Sequence, residues 1–267
     1  MTTFGATAPA PGWTIEVEGG DTATPLNLAR RVALLETLLP SLDGLRLLDA
    51  GCGGGEYVKA LLARGADVRG LELAEDKLEA VRRLPPEIGG RIHAGDLEAA
   101  PFASSCFDAV LANEMLEHVP DDRAALREVH RILRPGGHLV VFSPSRLHPF
   151  ETHGVFSKRS GSRISHAAPF VPWIPLPLGR RFLRYWARNY WPWELRRLLW
   201  DSGFKTLRCG YLWQTFENIS GQQPAWMGPV RPLLRGAAAI LERAPVLRAL
   251  GVSQWVLARR RDESLAS

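Results

Sequence analysis

Apolar residues follow two spacings along the chain, and each spacing predicts one type of element. Leu28, Val32, Leu35 and Leu39 recur at helical intervals, which predicts a helix from Thr24 or Pro25 to Leu39. Short continuous apolar runs then predict strands at 45–50, 67–72, 91–94, 106–112 and 138–142. Helical patterns lie between them at 55–64, 74–83 and 121–133. Strands that alternate with helices in this way are typical of a mostly parallel sheet.

The remaining segments complete the predicted architecture. Residues 143–190 are rich in proline and aromatic residues and show no clear period. A helix at Pro192–Asp201, a strand at 203–209, a helix at 230–249 and a strand at 252–258 follow. We predict a Rossmann-like doubly wound α/β fold, with a seven-stranded, mostly parallel sheet and helices on both faces. It would form a single domain over 24–267, with a flexible arm at 1–23 and an inserted lid at about 143–190.

The residues that follow the strands carry the candidate chemistry, because such sheets bind ligands at the carboxyl ends of their strands. The first strand runs into DAGCGGG, in which Asp49 precedes Gly51 and the glycines at 53–55. Glycines let a ligand approach the backbone closely, and the next helix directs free N–H groups at it. The acid would repel a phosphate and suits a cation, such as an ammonium or a sulfonium.

Three further strand ends extend this pattern. Glu72 ends the second strand, 23 residues after Asp49, where an acid can bind a ribose diol. After the third strand, Asp96 and the backbone N–H of Leu97 suit an exocyclic amine and a ring nitrogen, and Asn113 ends the fourth strand. A ligand that combines a cationic amino-acid group, a ribose and an adenine would match these positions, and S-adenosylmethionine is such a ligand. A NAD-dependent dehydrogenase fits less well, because the glycine spacing is G-x-G-G-G rather than G-x-G-x-x-G.

In order along the chain, four motifs resemble those of class I S-adenosylmethionine-dependent methyltransferases: LLDAGCGGGEY, VRGLEL, AGDLEAAPFASSCFDAVLANEMLEHVPD and EVHRILRPGGHLVVFSP. The resemblance covers about residues 26–145 and is strongest to the small-molecule enzymes around ubiquinone and menaquinone biosynthesis. It implies S-adenosylmethionine as cofactor. The implied contacts are Asp49, Gly51, Cys52 and Gly53 at the methionine end, Glu72 at the ribose, Asp96 and Leu97 at the adenine, and Asn113 beside the methyl donor.

The acceptor would be activated at the same edge of the sheet. Displacement at a sulfonium needs a nucleophile held in line with the methyl group, and a hydroxyl acceptor also benefits from a general base. The catalytic candidates are His118 after the fourth strand, and His148, Glu151 and His153 after the fifth. We predict that a His–Glu pair from the lid is the base. The alternative for each residue is a structural role in its loop.

The same segment is also compatible with metal binding or with lining an acceptor pocket. His148, Glu151 and His153 are also of the types that bind metals, but no fourth ligand is suitably spaced, and no metal is expected. Further candidates for lining an acceptor pocket are His166, Tyr185 and Tyr190.

Charge is divided unevenly along the chain. Residues 1–142 contain 14 Lys or Arg and 21 Asp or Glu, whereas residues 143–267 contain 19 and 7, with eight of the nine tryptophans. A basic, aromatic-rich part suits an anionic acceptor or an anionic membrane surface, and a solvated basic face is the plainer alternative. The lid arginines concerned are Arg180, Arg181, Arg184 and Arg188. Their mixture with prolines and bulky apolar residues does not indicate a nucleic-acid-binding module.

The predicted function is methyl transfer from S-adenosylmethionine to an oxygen atom of a small or lipid-like molecule. RNA or protein methylation, and a catalytically inactive module that binds the cofactor, are the alternatives. The three unpaired cysteines fit a reducing compartment, and neither a signal peptide nor an apolar run of about 18 residues is visible. A cytoplasmic location is therefore expected, with peripheral contact to an anionic membrane as a further hypothesis. The sequence indicates no particular oligomeric state.

Overall fold

The computed structural model describes residues 25–166, 168–217 and 227–261, so the predicted arm at 1–23 lies outside the described residues. The strands are β1 (Arg46–Ala50), β2 (Asp67–Glu72), β3 (Ile92–Ala94), β4 (Phe107–Asn113), β5 (Leu133–Pro144), β6 (Val155–Ser157), β7 (Leu183–Tyr185), β8 (Phe204–Leu212) and β9 (Ser253–Arg260). The α-helices are α1 (Pro25–Leu38), α2 (Glu56–Leu62), α3 (Glu75–Val81), α4 (Pro86–Gly89), α5 (Asp122–Ile132), α6 (Leu176–Phe182), α7 (Pro192–Asp201) and α8 (Met227–Arg243).

Seven strands form one sheet in the order β3-β2-β1-β4-β5-β9-β8. The pairs among the first five strands are parallel, and β9 runs antiparallel to both β5 and β8. The predicted seven-stranded, mostly parallel sheet is therefore confirmed. The chain order reverses beside β1, with β2 on one side and β4 on the other, which is where sheets of this type bind ligands.

The two faces of the sheet carry separate apolar clusters, because successive strand residues point to opposite sides. In β4, Val110 and Ala112 belong to one cluster, and Ala109 and Leu111 belong to the other. Residues of α5 and α7 close the first cluster, and residues of α1 and α2 close the second. Burial on both faces explains why the strands are continuous apolar runs in the sequence.

The two largest differences from the predicted bounds concern one strand and one helix. The strand expected at 138–142 is extended to 133–144, because Leu133 pairs with Phe107 before a register shift brings His138 opposite Ala109. The helix expected at 230–249 ends at Arg243, and a separate 3-10 turn follows at 247–250. Pro245 lies between the two, and a proline disfavours helical geometry in the residue before it.

The segment expected to be an insertion leaves and rejoins the sheet at one place. Ser145, just after β5, forms a parallel bridge with Tyr190, just before α7. Between these residues lie α6, a 3-10 turn at 171–173 and a small antiparallel sheet of β6 and β7. Local structure is therefore present where the sequence shows no period, and the role of this segment as a lid stays a prediction.

The turn after β1 depends on left-handed glycines, which generates a prediction about stability. Gly51 has φ +75° and Gly53 has φ +55°. A Cβ at Gly51 would lie 2.5 Å from Cγ of Met115 and 3.0 Å from its Cβ, whereas a Cβ at Gly53 would meet no atom within 4 Å. Both Gly→Ala variants carry the cost of a left-handed alanine, about 1–2 kcal/mol, but only Gly51→Ala adds overpacking, typically about 1–3 kcal/mol.

We therefore expect Gly51→Ala to lower the free energy of unfolding more than Gly53→Ala does. Urea unfolding without added cofactor measures the difference, and Gly53→Ala serves as the matched control for backbone strain. Equal losses in the two variants would contradict the proposed contact with Met115.

Candidate cofactor and active site

The carboxyl edge of β1, β2 and β4 gathers most of the predicted site residues. Asp49 pairs in register with Gly70 of β2 and Leu111 of β4, so it lies at the centre of this edge. The backbone N–H groups of Gly51 and Cys52 both donate to the carbonyl of Leu71, at 2.8 and 3.1 Å. These bonds fold the glycine turn back onto the end of β2.

Asp49 is the most unusual charged residue of this edge. Its exposed fraction is 1%, and its Oδ2 accepts no hydrogen bond from any described residue. Desolvation first, and then the neighbouring carboxylates of Glu56 and Glu72, raise the pKa of Asp49 to about 8. A buried carboxyl that lacks a partner and lies among other acids is suited to a cationic ligand, because a positive charge would relieve both costs.

The two left-handed glycines of the turn differ in the space beside them. A Cβ placed on Gly53 would meet no atom within 4 Å, whereas a Cβ placed on Gly51 would lie against the Met115 side chain. Cys52 is buried, and its Sγ would lie 2.6 Å from a Cβ placed on Gly70. Burial raises the pKa of the Cys52 thiol, so this residue contributes packing and backbone rather than a reactive thiolate.

Glu72 fixes the geometry where the turn meets β2. Its Oε2 accepts a hydrogen bond from the backbone N–H of Gly53 at 2.8 Å. Its Oε1 accepts from the N–H groups of Leu73 at 2.9 Å and Ala74 at 2.8 Å. The acid predicted to bind a ribose is thus held at the same edge as Asp49, one strand away, and the ribose contact stays a prediction.

Asp96 and Leu97 lie at the end of β3, beside Glu72. Asp96 caps the 3-10 turn at 97–99 through a hydrogen bond from the backbone N–H of Glu98 to its Oδ1 at 2.9 Å. The N–H of Gly95 donates to the Glu72 carbonyl at 2.9 Å, which joins the two strand ends. Leu97 is buried. The position fits the predicted adenine contact, which stays a prediction.

Asn113 belongs to a buried polar network that includes Arg31, a residue that the sequence analysis did not predict for the site. Arg31 of α1 is 4% exposed and donates from Nη1 to Oδ1 of Asn113 and from Nη2 to Oε1 of Glu114, the latter at 2.7 Å. Its guanidinium also lies over the Phe142 ring, with Cζ 4.8 Å from the centroid. The signal was present in the sequence: Arg31 stands between Leu28 and Leu35 on the buried stripe of the first helix.

A second missed residue, Glu117, lies next to two of the predicted catalytic histidines. It is 2% exposed, and neither carboxyl oxygen accepts a hydrogen bond from the described residues. Desolvation and the nearby Glu114 carboxylate raise the pKa of Glu117 well above its ordinary value. Its Oε1 is 3.7 Å from Nε2 of His153, whose Nδ1 is 3.0 Å from the Thr152 hydroxyl.

His118 completes this group, which is hereafter the Glu117–His118–His153 cluster. The rings of His118 and His153 have centroids 5.3 Å apart. Partial desolvation and then His153 lower the pKa of His118, although more than a third of this residue faces solvent. The ligand-type atoms of the three residues lie within 4.8 Å of one another. The cluster can therefore share a proton or hold a divalent cation. The three residues that the sequence offered as metal ligands were different, because they combined His153 with Glu151 and His148.

The other two catalytic candidates make structural contacts. Glu151 accepts at Oε1 from the backbone N–H groups of Thr152 and His153, at 3.1 and 3.0 Å, and at Oε2 from Asn189 at 3.1 Å. Nδ1 of His148 is 2.8 Å from the carbonyl of Leu250. Glu151 thus holds the loop that presents His153. A catalytic role for either residue stays a prediction.

Of the further candidates for the acceptor pocket, Tyr190 ties the inserted segment to the sheet. Its hydroxyl is 3.0 Å from Oδ2 of Asp122 and 3.2 Å from the carbonyl of Leu116. Arg188 forms an ion pair with the same Asp122 carboxylate at 2.6 Å. His166 Nδ1 is 2.7 Å from the Glu151 carbonyl. These contacts fix the segment near the Glu117–His118–His153 cluster.

Comparison with known proteins agrees with this geometry. Residues 48–141 match a family described as a methyltransferase domain. The ubiquinone biosynthesis O-methyltransferase of Alkalilimnicola ehrlichii is 36% identical over 122 residues, which are 45% of this chain and 49% of that protein. The corresponding protein of Bordetella avium is 38% identical over 122 residues, covering 45% and 50%. The chain thus spans about half the length of the curated relatives it matches.

Among solved structures, an S-adenosylmethionine-dependent methyltransferase from Mesorhizobium loti aligns with a TM-score of 0.58 at 24% identity, over 85% of this chain and 96% of that one. At this identity the likeness shows the shared fold. Residues 48–141 thus carry a methyltransferase domain, and the chain resembles class I S-adenosylmethionine-dependent methyltransferases. The resemblance, the fold and the cofactor class predicted from the sequence are confirmed.

The residues of this methyltransferase domain fit its cofactor. Asp49 is buried, and no described residue donates a hydrogen bond to its Oδ2, which suits the ammonium group of S-adenosylmethionine; a Cβ on Gly53 would meet no atom within 4 Å. None of the described helices is long and apolar enough to cross a membrane.

The burial of Asp49 generates a prediction about pH. Its folded-state pKa of about 8 exceeds the value of about 4 expected in the unfolded chain. The folded protein therefore binds more protons than the unfolded one between these values, and this residue costs stability as the pH rises from about 4 to about 8. We expect Asp49→Asn to raise the free energy of unfolding of the cofactor-free protein at pH 8 by on the order of 2–4 kcal/mol, and to have little effect near pH 4.

Urea unfolding at the two pH values tests this expectation, with Asp108→Asn as the matched control. Hydrogen bonds from Arg46 lower the pKa of Asp108 to about 2, so the sign reverses and this variant should lose stability at pH 8. Destabilisation of both variants at pH 8 would show that Asp49 already has a partner.

Proposed function

We propose that this protein transfers a methyl group from S-adenosylmethionine to an oxygen atom of a small or lipid-like acceptor. The observation that carries the proposal is the buried, unpartnered carboxyl of Asp49 at a glycine turn, with Glu72 one strand away. When ionised, the Asp49 carboxylate would repel a dinucleotide's phosphates, whereas a cationic amino-acid group would favour its ionised form and be bound.

The cofactor, when bound, supplies a methyl group made electrophilic by the attached sulfonium. The chain's residues would then do two tasks. Asp49 and the backbone around Gly53 would hold the amino-acid end, with Glu72 at the ribose and Asp96 and Leu97 at the adenine. The buried Arg31–Asn113 hydrogen bond would keep the floor of the site rigid, because Arg31 is held by Glu114 at the same time.

The proposed base is His153, with Glu117 rather than Glu151 as its acidic partner. Glu151 is already occupied by the backbone of its own loop and by Asn189. Glu117 is buried beside Glu114, so its carboxyl ionises more readily when a positive charge stands next to it. A proton accepted by His153 from an acceptor hydroxyl would supply that charge 3.7 Å away. The pair would therefore stabilise the proton taken from the acceptor.

The acceptor class is supported by two observations. Two relatives of the chain are named for O-methylation in ubiquinone biosynthesis. The inserted segment also presents exposed aromatic residues, including Phe170 and Phe182, together with Arg180 and Arg181. We propose an isoprenoid-substituted phenol as the substrate type, reached from the surface of an anionic membrane.

Methylation of a phenol with a short isoprenoid chain, measured by mass spectrometry, tests the reaction. We expect His153→Ala to lower kcat by about 10²–10⁴-fold and Glu117→Gln to lower it less, with the cofactor's Kd unchanged in both. His138→Ala, on β5 and outside the cluster, is the control and should behave as wild type.

Calorimetric titration with S-adenosylmethionine and with its demethylated product separates the alternatives. Absence of binding to both compounds would reject the cofactor site and with it the whole proposal. Binding without methylation of any phenol would favour the inactive regulatory module or a macromolecular acceptor. An unchanged rate in His153→Ala would remove this residue as the base while leaving the cofactor site in place.

A further inference from the structure

Helix α8 presents an apolar stripe to solvent, which is the reverse of what a surface helix of a soluble protein normally does. Val230, Leu233, Ala237 and Ile240 recur at helical intervals and are all exposed, with exposed fractions of 75% for Leu233 and 70% for Ile240. No charged residue stands on this stripe before Arg243. Such a stripe is suited to a partner that is itself apolar.

The inner side of the helix is anchored, so the orientation of the stripe is fixed. Ala238 is buried, and Arg235 donates from Nε to the carbonyl of Thr215 at 2.6 Å. Glu242 forms an ion pair with Arg30 of α1 at 2.6 Å. The helix therefore cannot turn its apolar side inward without breaking these contacts.

The stripe continues into the turn that follows the helix. Val246 is 81% exposed, and Leu247 is exposed as well. These two residues, with Val230, Leu233 and Ile240, are hereafter the α8 apolar patch. At the end of the same turn, Leu250 bonds His148, whose ring lies against the exposed Phe150 at a centroid distance of 5.8 Å. The patch is thus connected to the aromatic residues of the inserted segment.

The exposed charged residues of α8 and the following turn that form no ion pair have one sign. Arg243 and Arg248 are exposed and form no ion pair within the described residues. Glu242, the acidic residue on α8, is already paired with Arg30. An apolar centre with a basic rim is complementary to an anionic lipid surface. A second copy of the chain would bring the same arginines against each other, and a convex helix face offers no groove for a peptide.

We propose that the α8 apolar patch docks the protein on the surface of an anionic membrane, with its leucine and isoleucine side chains in the acyl boundary and Arg243 and Arg248 at the headgroups. Docking here would hold the inserted segment close to the lipid. This inference rests on the proposed function in one respect only, which is that docking would give the site access to a lipid-like acceptor.

Sedimentation of the full chain with lipid vesicles tests the docking without any methyl transfer. We expect binding to phosphatidylcholine vesicles that contain phosphatidylglycerol, little binding to phosphatidylcholine alone, and release at high salt. Leu233→Glu should weaken the binding about tenfold or more, because it removes an apolar contact and adds a negative charge. Leu207→Glu is the matched control, since Leu207 is exposed on β8 rather than on α8, and it should bind as wild type.

Three results would overturn the inference. They are the absence of binding to anionic vesicles at low salt, equal binding to neutral vesicles, and unchanged binding of Leu233→Glu. Sedimentation equilibrium tests the competing hypothesis that a second copy of the chain covers the patch. A dimer that Leu233→Glu dissociates, in a protein that does not bind vesicles, would assign the patch to that second copy. Cofactor titration of the same samples keeps the two proposals apart, because a protein that binds S-adenosylmethionine but not vesicles fails only this inference.

Discussion

The unpaired carboxyl of Asp49 is the constraint on which the rest of the site depends. It lies at the centre of the sheet's carboxyl edge, 1% exposed, with other acids around it and no donor to its Oδ2 among the described residues. Such a group is costly in the folded protein unless a cation is bound. The fold tolerates this cost because the flanking strands and both apolar clusters hold the backbone of β1 in place. The folded protein is therefore less stable without a ligand, and a cation bound next to Asp49 would restore this stability.

A second group of buried charges extends from this edge towards the acceptor side. Arg31 neutralises Glu114 and holds Asn113, which leaves Glu117 as a buried acid without a donor of its own. Its nearest basic neighbour is the His153 ring, which belongs to the inserted segment. The inserted segment and the sheet therefore meet at an acid–histidine contact of 3.7 Å. We propose this contact as the place where the proton of the acceptor is held.

The C-terminal part of the chain presents its apolar residues differently from the sheet. In the sheet, apolar residues are buried on both faces, whereas α8 and the inserted segment expose Leu233, Ile240, Phe170 and Phe182. The excess of basic residues lies in the same part of the chain. Under the proposals made above, these exposed apolar residues and the basic residues near them would meet an anionic partner. The division of charge in the sequence would then correspond to a division of tasks between cofactor binding and access to the acceptor.

The sequence by itself determined the sheet, its helices and the cofactor edge, because these depend on local periodicity and on glycines and acids at fixed places after strands. Asp49, Glu72 and Asp96 were recognisable for that reason. Tertiary structure decided which distant residues meet: Arg31 with Asn113, Glu117 with His153, and Leu250 with His148. Tertiary structure also decided that Glu151 serves its own loop and that the stripe of α8 faces outward. Spacing along a chain cannot show these pairings, because side chains far apart in sequence are brought together only when the layers pack.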